Sequence, residues 1–239
     1  MKVIVDNANN IATQAADIYE ELLKAKPNAV LGYATGSTPL DLYAELVNRV
    51  NAGKITFKDV TTYNLDEYVG LDGTHDQSYR YFMNTNLFDK IDIDKSRTFV
   101  PSGLDTSDEA LAQYDADIQA AGGIDIQLLG LGVNGHIGFN EPNTPFGSLT
   151  HVVELTQNTR EINARFFASI DDVPTHAATM GIRTVMNARK LILIALGENK
   201  ADAVAGLVNG EVTEALPASV LQLHPNVVVF CDKGAASKL

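Results

Sequence analysis

The stretch "IDIQLLGLGVNGHIGFNEP", residues 124–142, decides the architecture. Its first eight residues are almost continuously apolar, the mark of a strand covered on both faces. Four glycines punctuate the stretch from its seventh residue, at 130, 132, 135 and 138, and free the backbone to turn sharply and approach a ligand closely. A doubly buried strand running into a glycine-rich turn is how parallel α/β sheets present ligands at the carboxyl ends of their strands.

The rest of the chain alternates in the same way. "KVIV" (2–5), "AVLGY" (29–33), "VTTYN" (60–64), "RTFV" (97–100), "KLILIAL" (190–196) and "NVVVF" (226–230) read as further strands. Between them, Ile11, Ala15, Ile18 and Leu22 mark one helical face, and Leu40, Tyr43, Val47 and Val50 mark another that ends near Gly53. Residues 105–121 and 199–208 complete the helical set. The segment after Pro142 is more polar, with a strand at "HVVEL" and a helix-like "TREINARFFASI"; residues 144–180 are expected to form a lid. A closed eight-stranded barrel would place phosphate-binding glycines after its late strands. Here they follow early and middle strands. The expected fold is α/β: an open, doubly wound, mostly parallel sheet with helices on both faces, forming one domain over residues 1–239.

Composition narrows the function. The chain has 239 residues, is 45% hydrophobic and carries a net charge of -12. Such acidity disfavours nucleic acid and anionic membranes as partners, because both begin with a positive field. It leaves room for an anionic small molecule held by a few local cations. The single cysteine, Cys231, sits in a strand and reads as a buried core residue. With no signal peptide in the first residues and no membrane-length apolar run, a soluble cytoplasmic protein is expected.

Three stretches could carry chemistry. In "GYATGSTPLDLY" (32–43) a strand runs into Thr35, Gly36, Ser37 and Thr38, with Pro39 where a helix would begin. Free N–H groups and the helix dipole would suit a phosphate, while a plain turn capped by Ser37 or Thr38 is the alternative. In "TTYNLDEYVGL" (61–71) Asp66 and Glu67 follow a strand directly. At least one should face the crevice as a general base, unless the pair merely forms a solvated acidic loop. In the opening stretch, His136 suits proton movement near neutral pH and Glu141 could orient it, against the alternatives of an Asn-Gly turn and a structural histidine. No second histidine or cysteine stands at metal-ligand spacing, so no metal site is expected. The other histidines, at 75, 151, 176 and 224, are scattered. Lys200 follows a strand on its carboxyl side, and Arg165 lies in the polar segment; each alone reads as surface.

In this order "TGSTP", "NLDEYVGL", "GLGVNGHIGFNEP", "NARFF" and "LGENKA" resemble the glucosamine-6-phosphate deaminases over nearly the whole chain. The resemblance implies hydrolytic conversion of glucosamine 6-phosphate to fructose 6-phosphate and ammonia, in amino-sugar catabolism. Every step is proton transfer, so no cofactor is implied. Asp66 would take the C2 proton and return it to C1, and His136 would open the sugar ring with Glu141 orienting it. The backbone of 35–38, with Arg165 and Lys200, would hold the 6-phosphate. Many members have aspartate where this chain has Asn134, which can position a neighbour but carries no charge. The 6-phosphogluconolactonases share the early phosphate loop and a Gly-His element, but differ around Asp66 and Glu141. A sugar-phosphate sensor would need a DNA-binding module, and no such segment or basic patch is visible.

Some longer members of that family are hexamers activated by N-acetylglucosamine 6-phosphate, bound against basic residues soon after the "FNEP" motif. Here residues 148–154 read "SLTHVVE", with no Arg or Lys between Glu141 and Arg160, and the chain stops at Leu239. A monomer with hyperbolic kinetics and no such activation is therefore expected.

Overall fold

Four strands of the large sheet are buried along their whole length: Val30–Tyr33, Ile126–Leu129, Leu191–Ala195 and Val227–Cys231. Strands so apolar on both sides need helices above and below them, and they occupy the middle of the sheet. The computed structural model describes residues 1–164, 167 and 169–239. In chain order its elements are β1 (Lys2–Val5), α1 (Ala8–Ala25), β2 (Val30–Tyr33), α2 (Leu40–Asn51), β3 (Thr61–Asn64), β4 (Asp66–Tyr68) and α3 (Tyr79–Asn86). There follow β5 (Thr98–Phe99), α4 (Asp108–Ala120), β6 (Ile126–Leu129), β7 (His151–Glu154), α5 (Gln157–Asn163), β8 (His176–Thr179) and α6 (Ile182–Met186). The chain closes with β9 (Leu191–Ala195), α7 (Ala201–Asn209) and β10 (Val227–Cys231).

Seven strands form a wholly parallel sheet in the order β1-β10-β9-β6-β2-β3-β5. The connections β1–α1–β2 and β2–α2–β3 run across it in one direction, whereas β6 to β9 and β9–α7–β10 run in the other. With right-handed crossovers this puts α1 and α2 on one face and α7 on the opposite one. Consistent with a shared face, α1 and α2 pack on each other. Buried Arg49 of α2 ties them together, meeting Asp17 at 2.8 Å, Glu20 at 2.9 Å and Glu45 at 2.8 Å. The winding reverses between the neighbours β2 and β6, and the crevice of an open sheet lies at that reversal.

The fold is the expected open, doubly wound parallel sheet. Beside it stands a small antiparallel sheet, β4-β8-β7, of which the sequence disclosed only the strand at "HVVEL". Asp66 pairs with Thr179 across it, so the supposed acidic loop is a strand whose partner lies far along the chain. A three-residue strand has too little length for period-two alternation to register, and only tertiary pairing defines it. Its underside carries an apolar cluster of Tyr68, Phe139, Leu155 and Ala177, separate from the core under the large sheet.

Candidate active site

A cavity of about 250 Å³ opens at the reversal, between the segments that leave β2 and β6. Residues 35–38 after β2, Asp66 after β3, Gly132 and His136 after β6, and Lys200 after β9 all line it. Four strands thus deliver their following residues to one place, because parallel strands share a carboxyl edge.

On one wall, the turn into α2 is capped by no side chain; Pro39 occupies the N-cap, and neither Ser37 nor Thr38 acts as a cap. The backbone N–H groups of Gly36, Ser37 and Thr38 donate to no acceptor among the described residues. Those donors, with the positive end of the α2 dipole behind them, form an anion-binding surface. Lys200 lines the same cavity. Its half-buried ammonium meets no carboxylate among the described residues, and burial lowers its pKa. A poorly hydrated cation without a counter-charge favours an anionic ligand.

Opposite fates befall the two adjacent acids, as alternation along a strand requires. Glu67 turns away from the cavity and accepts backbone N–H bonds from Tyr68 (2.8 Å), Tyr79 (2.9 Å) and Arg80 (3.0 Å) at the start of α3. Burial raises its pKa and those three donors pull it back. Asp66 faces the cavity, only 6% exposed, and accepts no hydrogen bond from the described residues. Burial first, and then the charge of Glu67, push its pKa up to about 8. A carboxylate that is hard to ionise is a stronger base when it does, which suits proton abstraction from carbon near neutral pH.

The other wall is a chain of side chains. His136 Nδ1 lies 2.7 Å from Asn134 Oδ1, and Asn134 Nδ2 donates to Glu141 Oε2 at 2.6 Å. Because the amide donates to Glu141, its oxygen accepts from the ring; the network thereby assigns the proton to Nδ1 and leaves Nε2 as the exchanging nitrogen. Glu141 Oε1 stands 3.6 Å from Nδ1, beyond a hydrogen bond. That oxygen instead accepts from Thr159 Oγ1 at 2.9 Å. Burial works against the Glu141 charge, but His136, Asn134 and Thr159 together hold its pKa below the usual value. Gly132 is required here for space, since a Cβ on it would come within 2.3 Å of the His136 ring.

The structure therefore brings together Thr35, Gly36, Ser37, Thr38, Asp66, His136 and Lys200 around the cavity, with Asn134 and Glu141 behind the ring. Arg165 lies outside the described residues. Sequence reading missed Thr159 and Tyr79, which also line the cavity. The Tyr79 ring stacks on Phe139, with centroids 6.1 Å apart, as part of the aromatic cluster under β4. Tyr79 lies in no quoted motif, and Thr159 opens the helix-like "TREINARFFASI" with nothing local to mark it as a site residue. No group of three or more potential metal ligands occurs among the described residues, and no described helix is long and apolar enough to cross a membrane.

A doubly wound sheet with an anion surface facing a carboxylate and an oriented imidazole defines a protein built to handle protons on a small anionic molecule. Residues 5–230 match the family described as glucosamine-6-phosphate isomerases/6-phosphogluconolactonase, and the chain belongs to that family. It is 54% identical to the glucosamine-6-phosphate deaminase of Shewanella woodyi, over 99% of this chain and 90% of that one. A solved monomeric glucosamine-6-phosphate deaminase superposes over the whole of both chains with a TM-score of 0.97 and 44% identity. The 6-phosphogluconolactonase of Thermotoga maritima, at 19% identity and TM-score 0.76 over 97% of this chain and 98% of that one, shares the fold.

Proposed function

We propose that this chain converts glucosamine 6-phosphate and water to fructose 6-phosphate and ammonia. The observation that carries the reading is one cavity lined by Asp66, His136, the open N–H groups of 36–38 and Lys200. The names of its close relatives support the same substrate.

The 6-phosphate binds to Gly36, Ser37 and Thr38 and to Lys200, with Arg165 as a further cation, while residues 144–180 cover the crevice. His136 Nε2 takes the proton of the anomeric hydroxyl and delivers one to the ring oxygen, opening the ring. The imidazolium formed in between is held by Asn134 and by the Glu141 charge. Asp66 then removes the C2 proton; an ammonium on the substrate's C2 lowers the carboxyl pKa and readies the base. The electron pair moves towards the C1 carbonyl oxygen, which takes a proton given up by the ammonium, and the 1,2-enolamine results. Asp66 returns a proton to C1, leaving an iminium at C2. Water adds to that carbon, ammonia leaves, and the C2 ketone of fructose 6-phosphate remains. The absence of ammonia on mixing the purified chain with glucosamine 6-phosphate, alongside hydrolysis of 6-phosphogluconolactone, would replace this reading with the lactonase one.

The chain works as a monomer without activation by N-acetylglucosamine 6-phosphate. The cation-free run between Glu141 and Arg160 and the monomeric relative support this. Rate against substrate should be hyperbolic, and sigmoidal dependence abolished by that compound would overturn it.

A further inference from the structure

Lys200 sits in a turn that is held from outside its own sequence neighbourhood as well as by local backbone bonds. Leaving β9, the chain passes through Gly197, whose φ of 95° only glycine adopts without strain, and a 3-10 turn at Glu198–Lys200. Glu198 and Asn199 are exposed and anchor nothing. What fixes the turn is the segment after the neighbouring strand β10. Gly197 N–H donates to both carboxylate oxygens of Asp232, at 3.0 Å each, and Ala235 N–H donates to Asp232 Oδ1 at 2.7 Å. Beside them Gly234 packs so closely that a Cβ on it would lie 2.9 Å from the Glu198 backbone nitrogen. Lys200 N–H in turn donates to Gly197 O at 3.0 Å. Asp232 makes no ion pair among the described residues, so its carboxylate serves backbone donors alone.

We infer that Asp232 is a positioning residue for phosphate recognition: by clamping Gly197 it aims the Lys200 ammonium at the anion surface of 36–38. The inference rests on Lys200 holding the substrate phosphate. Without the clamp Lys200 would have to order its turn as well as its side chain on binding, and affinity for the phosphate would fall while the proton-transfer groups stayed in place.

The test measures kcat, KM for glucosamine 6-phosphate and the inhibition constant of inorganic phosphate in Asp232→Ala, Asp232→Asn, Lys200→Ala and the Asp232→Ala/Lys200→Ala pair. Asp232→Ala should raise KM and the phosphate inhibition constant together by about tenfold, with kcat within about twofold. Asp232→Asn should stay near the parent, because one amide oxygen can accept both N–H bonds. In the Lys200→Ala background, Asp232→Ala should add nothing. If Asp232→Ala does not fold, Gly234→Ala displaces the same turn from the other side and should raise the same two constants. An unchanged KM in Asp232→Ala and Gly234→Ala, or an Asp232→Ala effect that persists without Lys200, overturns the inference while leaving the phosphate role of Lys200 intact. An unchanged KM in Lys200→Ala removes that role, and the inference with it.

Discussion

The two walls of the cavity are built on different principles. The wall after β2 offers backbone N–H groups, a helix dipole and, in the same cavity, one lysine; no side chain caps the turn. The wall after β6 runs through side chains, from Thr156 and Thr159 to Glu141, Asn134 and His136. A phosphate spreads its charge over several oxygens, so any array of donors with net positive potential will hold it. Moving a proton demands one nitrogen in one tautomer at one place, which a backbone cannot supply. Binding is therefore written in conformation here, and chemistry in residue identity.

The contrast breaks most visibly at Asp66, where identity is everything. Asp66→Asn should lower kcat roughly 10²–10⁴-fold, abolish exchange of the C2 hydrogen with solvent and leave the inhibition constant of phosphate unchanged. Persistent exchange would move the base elsewhere. The same variant should gain stability at high pH. The folded carboxyl keeps its proton up to about pH 8, whereas the unfolded one loses it near the usual 3.8. Between those values the folded state binds more protons, so stability falls as pH rises and the loss is complete above about pH 8. Asparagine has no proton to lose. Its melting temperature should exceed the parent's at pH 9 and match it near pH 3, and a parent that is equally stable at pH 5 and 8.5 would contradict the raised pKa.

Lys200→Ala comes next, at about 2–3 kcal/mol in kcat/KM, the cost of losing one partner of a desolvated charge pair. The loss should vanish when free glucosamine is the substrate; an equal loss on both substrates would place Lys200 away from the phosphate. Asn134→Ala should cost about 1–2 kcal/mol, expressed in kcat with KM unchanged, because it frees the ring to choose its tautomer and orientation. A variant as fast as the parent would show that Glu141 alone orients His136. The smallest effect is expected from Ser37→Ala, below about 1 kcal/mol, since the N–H survives the change. A loss as large as that of Lys200→Ala would mean that the first wall also works through side chains.

Much of this was legible along the chain. Doubly apolar runs announced the parallel strands, and the turns after 33 and 129 marked the two loops that meet at the reversal of winding. Asp66, His136 and Glu141 each had a structural alternative when taken alone, and stood out through the motifs "NLDEYVGL" and "NGHIGFNEP". The pair Asp66–Glu67 shows the limit. Both looked like members of one acidic loop, yet one faces the cavity and the other caps α3 from within the fold.

Residue order alone determined the strand-helix alternation and the open parallel sheet, because each follows from local periodicity, and its motifs pointed to Asp66, His136 and Glu141 as candidates for moving protons. Tertiary structure alone decided the β4-β8-β7 sheet, the Thr159 bond to Glu141 and the Asp232 clamp on the Lys200 turn. Each of these joins residues distant in sequence, and the hydrogen bond that makes it exists only once the chain has brought the two ends together.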